Sequence, residues 1–214
     1  MTVSVITSVN RDIWSRYASK TISTWTLRPR IWWEPRDSTE KWQQWRERNQ
    51  GVHPETGFKT SWQRFSHKVE AQCEFYRELK QTSRYMIWLD SDVRELEQPR
   101  QLEKLLPPEG VFCSYLGRGS DYHPETGWIA YDLEHGQAEE FFSALEEIYL
   151  SDQIFTELEW HDAWVWNEVC LRLGVPRLNL IDGHPQRGEA FARSRLKNYY
   201  SHEKGPRKEL ICGL

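Results

Sequence analysis

Arg84-Tyr85-Met86-Ile87-Trp88-Leu89-Asp90-Ser91-Asp92-Val93 decides how the chain is read: an apolar run ends in two carboxylates one residue apart. A run of this length with polar ends reads as a buried parallel strand, and in open α/β sheets ligands bind beyond the carboxyl ends of such strands. Asp90 and Asp92 therefore fall where a site should be. Two acidic side chains this close repel each other unless a cation lies between them, and oxygen ligands in that number suit magnesium or manganese holding a substrate's phosphates. The same residues would also serve as a helix cap or turn, as Asp does after many strands.

Working outward, residues 3–9 are rich in β-branched side chains and read as a first strand, followed by a helix over 11–26 and a short strand at 31–34 closed by Pro35. Residues 38–49 read as a helix capped at Asp37 or Ser38, and 61–82 as a long helix leading into the central strand. Beyond Asp92 the pattern gives a helix at 98–106 stopped by Pro107-Pro108, strands at 110–116 and 128–132, and a helix at 137–150. A helix at 162–173 ends at Gly174, and 176–181 is the last core strand. His-Pro-Glu-Thr-Gly occurs at 53–57 and again at 123–127, which reads as recurring turn chemistry. Strands alternating with helices imply a single α/β sandwich domain over 1–214 around a mainly parallel, Rossmann-like sheet. Residues 182–214, with seven Arg or Lys between Arg187 and Lys208, read as a basic tail or lid.

Composition narrows the function. A formal charge of −4 disfavours a general nucleic-acid binder. Cys73, Cys113, Cys170 and Cys212 are widely spaced, which points to reduced thiols in a cytoplasmic protein. No segment approaches the roughly 18 apolar residues of a membrane span, and the N-terminus does not read as a leader. Twelve tryptophans suit a core, but clusters such as Trp32-Trp33 and Trp160, Trp164, Trp166 also suit flat platforms for sugars or bases.

The end of the chain supplies a second motif, H-x-x-G-x-x-K, in His202, Gly205 and Lys208. The histidine can complete a metal site begun by Asp90 and Asp92; a glycine lets backbone approach phosphate; a lysine offers a point charge.

With both motifs in view, the chain resembles glycosyltransferases of the GT-A fold, and among them the small glycogenin-like retaining enzymes. The likeness rests on the strand at 3–9, the helix carrying Arg64, Lys68 and Ala71, the D-x-D of Asp90 and Asp92, Gly127 before a strand, and the terminal H-x-x-G-x-x-K. One departure is that Glu209-Leu210 follows Lys208 where such tails continue with Pro-Trp. The resemblance implies Mn2+ (or Mg2+) held by Asp90, Asp92 and His202, and a UDP-sugar donor, UDP-glucose or UDP-galactose, whose hexose passes to a glycan, protein or small-molecule acceptor. It further implies that Thr7, Ser8, Val9 and Asn10 meet the nucleoside, that Tyr17 stacks and that Glu34 meets base or ribose hydroxyls. Arg64 and Lys68 would touch the sugar or diphosphate, Ser91 the ribose or sugar, and Thr126 and Gly127 the sugar through their backbone. Asp162 would act at the acceptor or donor sugar, as a base if the linkage is inverted and as a positioning group if it is retained. Arg187, Arg193, Arg195 and Lys197, with the tail, would close over the diphosphate. Core packing for Tyr17, an exposed helix face for Arg64 and Lys68, a turn for Thr126 and Gly127 and a helix cap for Asp162 are the competing roles. Two other classes compete: a non-catalytic nucleotide-sugar or carbohydrate-binding protein, and a metal-dependent phosphohydrolase, whose D-x-D would follow the first strand and run on into Gly-Thr. Monomer and homodimer are both open.

Overall fold

In the computed structural model, which describes residues 2–52, 62–119, 123–181 and 190–203, the apolar run becomes β3 (Tyr85–Leu89), every residue of it buried. It lies parallel to β1 (Val3–Asn10), which lies parallel to β2 (Arg30–Glu34). The six-stranded sheet has the order β2-β1-β3-β6-β5-β7, with β5 (Cys113–Leu116), β6 (Glu125–Asp132) and β7 (Arg177–Asn179). Only β6 runs against the other five. The reason is local: residues 117–124 are too few for a parallel crossover, which needs a dozen or more, so the chain must turn straight back.

Both faces are covered, as continuous apolar strands require. Met86, Trp88, Ile129 and Tyr131 point into a core built with α3 (Glu40–Arg48), α4 (Trp62–Leu79), α5 (Ala138–Leu150) and α6 (Asp162–Leu173). Tyr85, Ile87, Leu89, Trp128 and Ala130 alternate onto the opposite face. There they meet α1 (Arg11–Ile13), a π-helical turn over Trp14–Ala18, α2 (Ser19–Ile22) and residues 190–203. Most tryptophans are core: Trp42, Trp45, Trp62, Trp88, Trp128, Trp160, Trp164 and Trp166 are all buried, so the platform role falls away for the last three. Cys73, Cys113 and Cys170 are free and buried, and Cys212 lies outside the described residues. Among the described residues no helix is long and apolar enough to cross a membrane.

Several expectations are corrected. The helix over 98–106 is a single 3-10 turn, Leu102–Lys104, because Pro99 and Pro107 leave too few residues between them to sustain α-helix. The 11–26 helix stops at Ile22, and Trp25 turns back to donate to the Val93 carbonyl at 2.7 Å. Neither Asp37 nor Ser38 caps α3. Thr39 is the N-cap residue, and its amide donates to the buried Glu70 carboxylate of α4 at 2.7 Å while Arg46 neutralises that carboxylate. Residues 190–203, read from the sequence as part of a basic tail or lid, are anchored to the sheet: Ala190, Phe191, Leu196 and Tyr200 are buried. Its last stretch forms β8 (Tyr200–His202), paired antiparallel with β4 (Val93–Glu95).

Candidate active site

β3 stops at Leu89, and the chain turns sharply: the Asp90 amide donates to Gly127 O, and the Val93 amide donates to Asp90 O, each at 2.9 Å. The turn presents Asp90, Ser91 and Asp92 at the carboxyl end of the central strand. It then becomes β4, whose register sets Val93 opposite His202. That ribbon bridges the two motifs across 110 residues, and His202 Nε2 lies 2.9 Å from Asp92 Oδ1.

The imidazole is buried, and its other nitrogen, Nδ1, faces the Glu125 carboxylate at 3.3 Å from Oε1. Burial by itself would lower the His202 pKa. Hydrogen bonding and charge from Asp92 and Glu125 outweigh it and push the group up to about 9. Donor atoms of Asp90, Glu125 and His202 lie within 4.8 Å of one another. Carboxylate oxygens with one imidazole suit manganese or magnesium. Glu125 escaped the sequence reading. It opens the reversed strand, where only the fold carries it to Asp90; Arg118 pairs with it, and the Gly127 amide donates to it at 3.1 Å.

Gly127 is required here for space. A Cβ on it would fall 2.8 Å from His202 Cε1 and 2.9 Å from Nδ1. Gly127→Ala is therefore expected to cost about 1–3 kcal/mol in urea unfolding. Gly136→Ala, where nothing lies within 4 Å, is the matched control. Equal stability of the two variants would refute the tight fit.

Beside this cluster lies Lys68. Its ammonium sits 2.8 Å from Asp90 Oδ1, 2.7 Å from Asp162 Oδ2 and 2.9 Å from Thr126 O. Burial works to lower its pKa, but the Asp162 and Asp90 charges reverse this and raise it. Burial also works to raise Asp162, and Lys68 with a 2.6 Å hydrogen bond from Thr126 Oγ1 brings it below the usual carboxylate range. Asp162 is the first residue of α6, and the residue that caps the helix is His161.

The cleft over these groups is lined by Ser8, Tyr17, Glu34, Arg64, Lys68, Asp90, Ser91, Asp92 and Asp162, all singled out from the sequence. Ile13, Phe65 and Trp88 complete it, and they carried no polar signal to find them by. Burial raises the Glu34 pKa against hydrogen bonds from Ser8 and Asn10 and the charge of Arg64. Asn10 lines an adjoining cavity with Trp33, Pro35 and Arg36. The two-residue alternation of β1 separates the other two candidates: Val9 packs in the opposite core, and Thr7 is fully buried with its hydroxyl unpartnered. Arg193, Arg195 and Lys197 are exposed and do not line the cleft. Arg187, Gly205 and Lys208 lie outside the described residues.

No protein-family model matches the chain, and no curated protein does. Among solved structures, a glycosyltransferase involved in the glycosylation of the major capsid of PBCV-1 is similar over 100% of both chains, with a TM-score of 0.61 and 14% identity. At that identity the likeness is one of fold, and it agrees with the GT-A-like α/β architecture expected from the sequence.

Proposed function

We propose that the chain is a metal-dependent glycosyltransferase that takes a UDP-hexose, UDP-glucose or UDP-galactose, into this cleft and passes the sugar, with retention, to a glycan, protein or small-molecule acceptor. The observation that carries this reading is the grouping of donor atoms of Asp90, Glu125 and His202 within 4.8 Å of one another, with Asp92 on the other nitrogen of the same buried imidazole, beside a cleft at the strand ends. The shared fold with a glycosyltransferase supports it. These four residues would hold Mn2+ (or Mg2+), which when bound supplies positive charge to a departing diphosphate.

The chain's own groups have separate tasks. Ser8, Asn10, Tyr17 and Glu34 would receive the nucleoside, Arg64 and Ser91 the diphosphate and sugar, and Gly205, Lys208 and Arg187 would close on the diphosphate. Lys68 holds Asp90 and Asp162 in place. Asp162, with its pKa lowered, is a poor proton acceptor, which favours a positioning role and hence a retained linkage. Asp90 shares Oδ1 between Lys68 and Trp88 Nε1, which ill suits the nucleophile of a phosphohydrolase.

A thermal-shift panel of nucleotides and UDP-sugars, with and without manganese, tests this on the parent and on Asp92→Ala. One uridine donor at about 100-fold its Kd should raise Tm by roughly 5 °C or more, only with manganese and only in the parent. No shift with any donor would sink the proposal. A shift without transfer or hydrolysis would replace it with a non-catalytic nucleotide-sugar binder.

A further inference from the structure

We propose that His123, Glu159 and His161 form a second cation site, selective for a borderline transition metal of the zinc, cobalt or nickel class. Glu159 and His161 are two apart in the chain that runs into α6, and His161 has extended backbone (φ −90°, ψ 153°). Their side chains meet: His161 Nε2 is 2.5 Å from Glu159 Oε2. His123, from the segment before β6, aims its own Nε2 at the same oxygen from 2.9 Å. The two rings are 4.9 Å apart, and the three donor atoms lie within 4.8 Å of one another.

Two imidazoles and one carboxylate are the protein ligands of an open zinc site, with a further position left for water. Side-chain exposures of 33%, 21% and 24% give water and a cation access. The donor set also separates this site from the one at Asp90. Imidazole nitrogen favours zinc-like ions, whereas the oxygen-rich cluster suits manganese or magnesium.

One bond opposes loading. His161 Nδ1 accepts from the Trp164 amide at 3.3 Å, which keeps the ring proton on Nε2. Cation binding at Nε2 moves that proton to Nδ1 and releases the helix cap, so affinity falls below that of a preformed zinc site. The benefit is structural: the cation ties the segment before β6 to the segment before α6, the two stretches that lead into the hydrogen-bonded Thr126 of β6 and Asp162 of α6.

Cobalt titration of the full chain, freed of metal and then saturated with magnesium, tests the site by visible absorption and calorimetry. The parent and Asp92→Ala should each bind one cobalt with a visible band. His123→Gln and His161→Asn should weaken it by more than the roughly 10–100-fold that loss of an outer-shell partner costs. Asn caps helices well, so His161→Asn keeps the α6 start and the far-ultraviolet circular dichroism unchanged. Zinc should shift the Trp164 amide resonance in the parent and leave it in place in His123→Gln. The proposal is overturned if His123→Gln binds cobalt as tightly as the parent, or if Asp92→Ala removes all cobalt binding.

Discussion

Lys68→Met is expected to destabilise the protein by about 3–5 kcal/mol, the cost of leaving a buried carboxylate without its counter-ion. The ammonium is within 3 Å of Asp90 and Asp162, and the Asp162 side chain is only 12% exposed. Methionine fills the volume of the stem but leaves Asp162 with Thr126 alone. A double-mutant cycle separates charge from packing: Lys68→Met with Asp162→Asn should recover much of the loss, because a neutral amide can still accept from Thr126 Oγ1. Urea unfolding of the four proteins measures this. A cost below 1 kcal/mol for Lys68→Met, or no recovery in the double variant, would show that the pair does not carry the site. The same variant should lose the manganese-dependent donor shift, since Asp90 is positioned by the group removed.

The sequence disclosed this site unevenly, for physical reasons. Asp90 and Asp92 were visible because two acids closing a buried strand suit a cation as well as a turn or cap, and the alternation of strands and helices placed them at the end of the sheet where ligands bind. Lys68 and Arg64 were visible as one face of a helix. Glu125 was not, because its position depends on β6 running backwards, and no local pattern distinguishes an acid in a turn from an acid at a strand end. Residues 190–203 look polar because their anchors, Phe191, Leu196 and Tyr200, have no regular period; their burial comes from packing against the sheet face. The exclusion of Thr7 and Val9 side chains from the cleft follows from strand geometry already implied by the sequence: with Ser8 facing the cleft, its neighbours must face away.

With divalent cations removed by chelation, stability should fall on the alkaline side of neutrality through His202. Its folded pKa of about 9 lies above the ordinary 6.5. The contribution is therefore fully present below pH 6.5 and is lost as pH rises through about 9. Its size is on the order of 3 kcal/mol. The facing groups are Asp92 from the β3–β4 turn, Glu125 from β6 and the apolar ring of Phe191, so both nearby charges favour the protonated ring. Urea unfolding across that range should show the decline in the parent and a flatter profile in His202→Gln; identical profiles would refute the assignment. A cation at Nδ1 needs the neutral imidazole, so proton and metal compete for one nitrogen. Adding manganese at pH 7.5 should then release about one proton per chain, read by calorimetry in buffers of different ionisation enthalpy, and should level the stability profile over the range where the metal-free protein loses stability. Absence of proton release, with manganese bound, would remove His202 from the ligand set and leave Asp90, Asp92 and Glu125 to hold the ion.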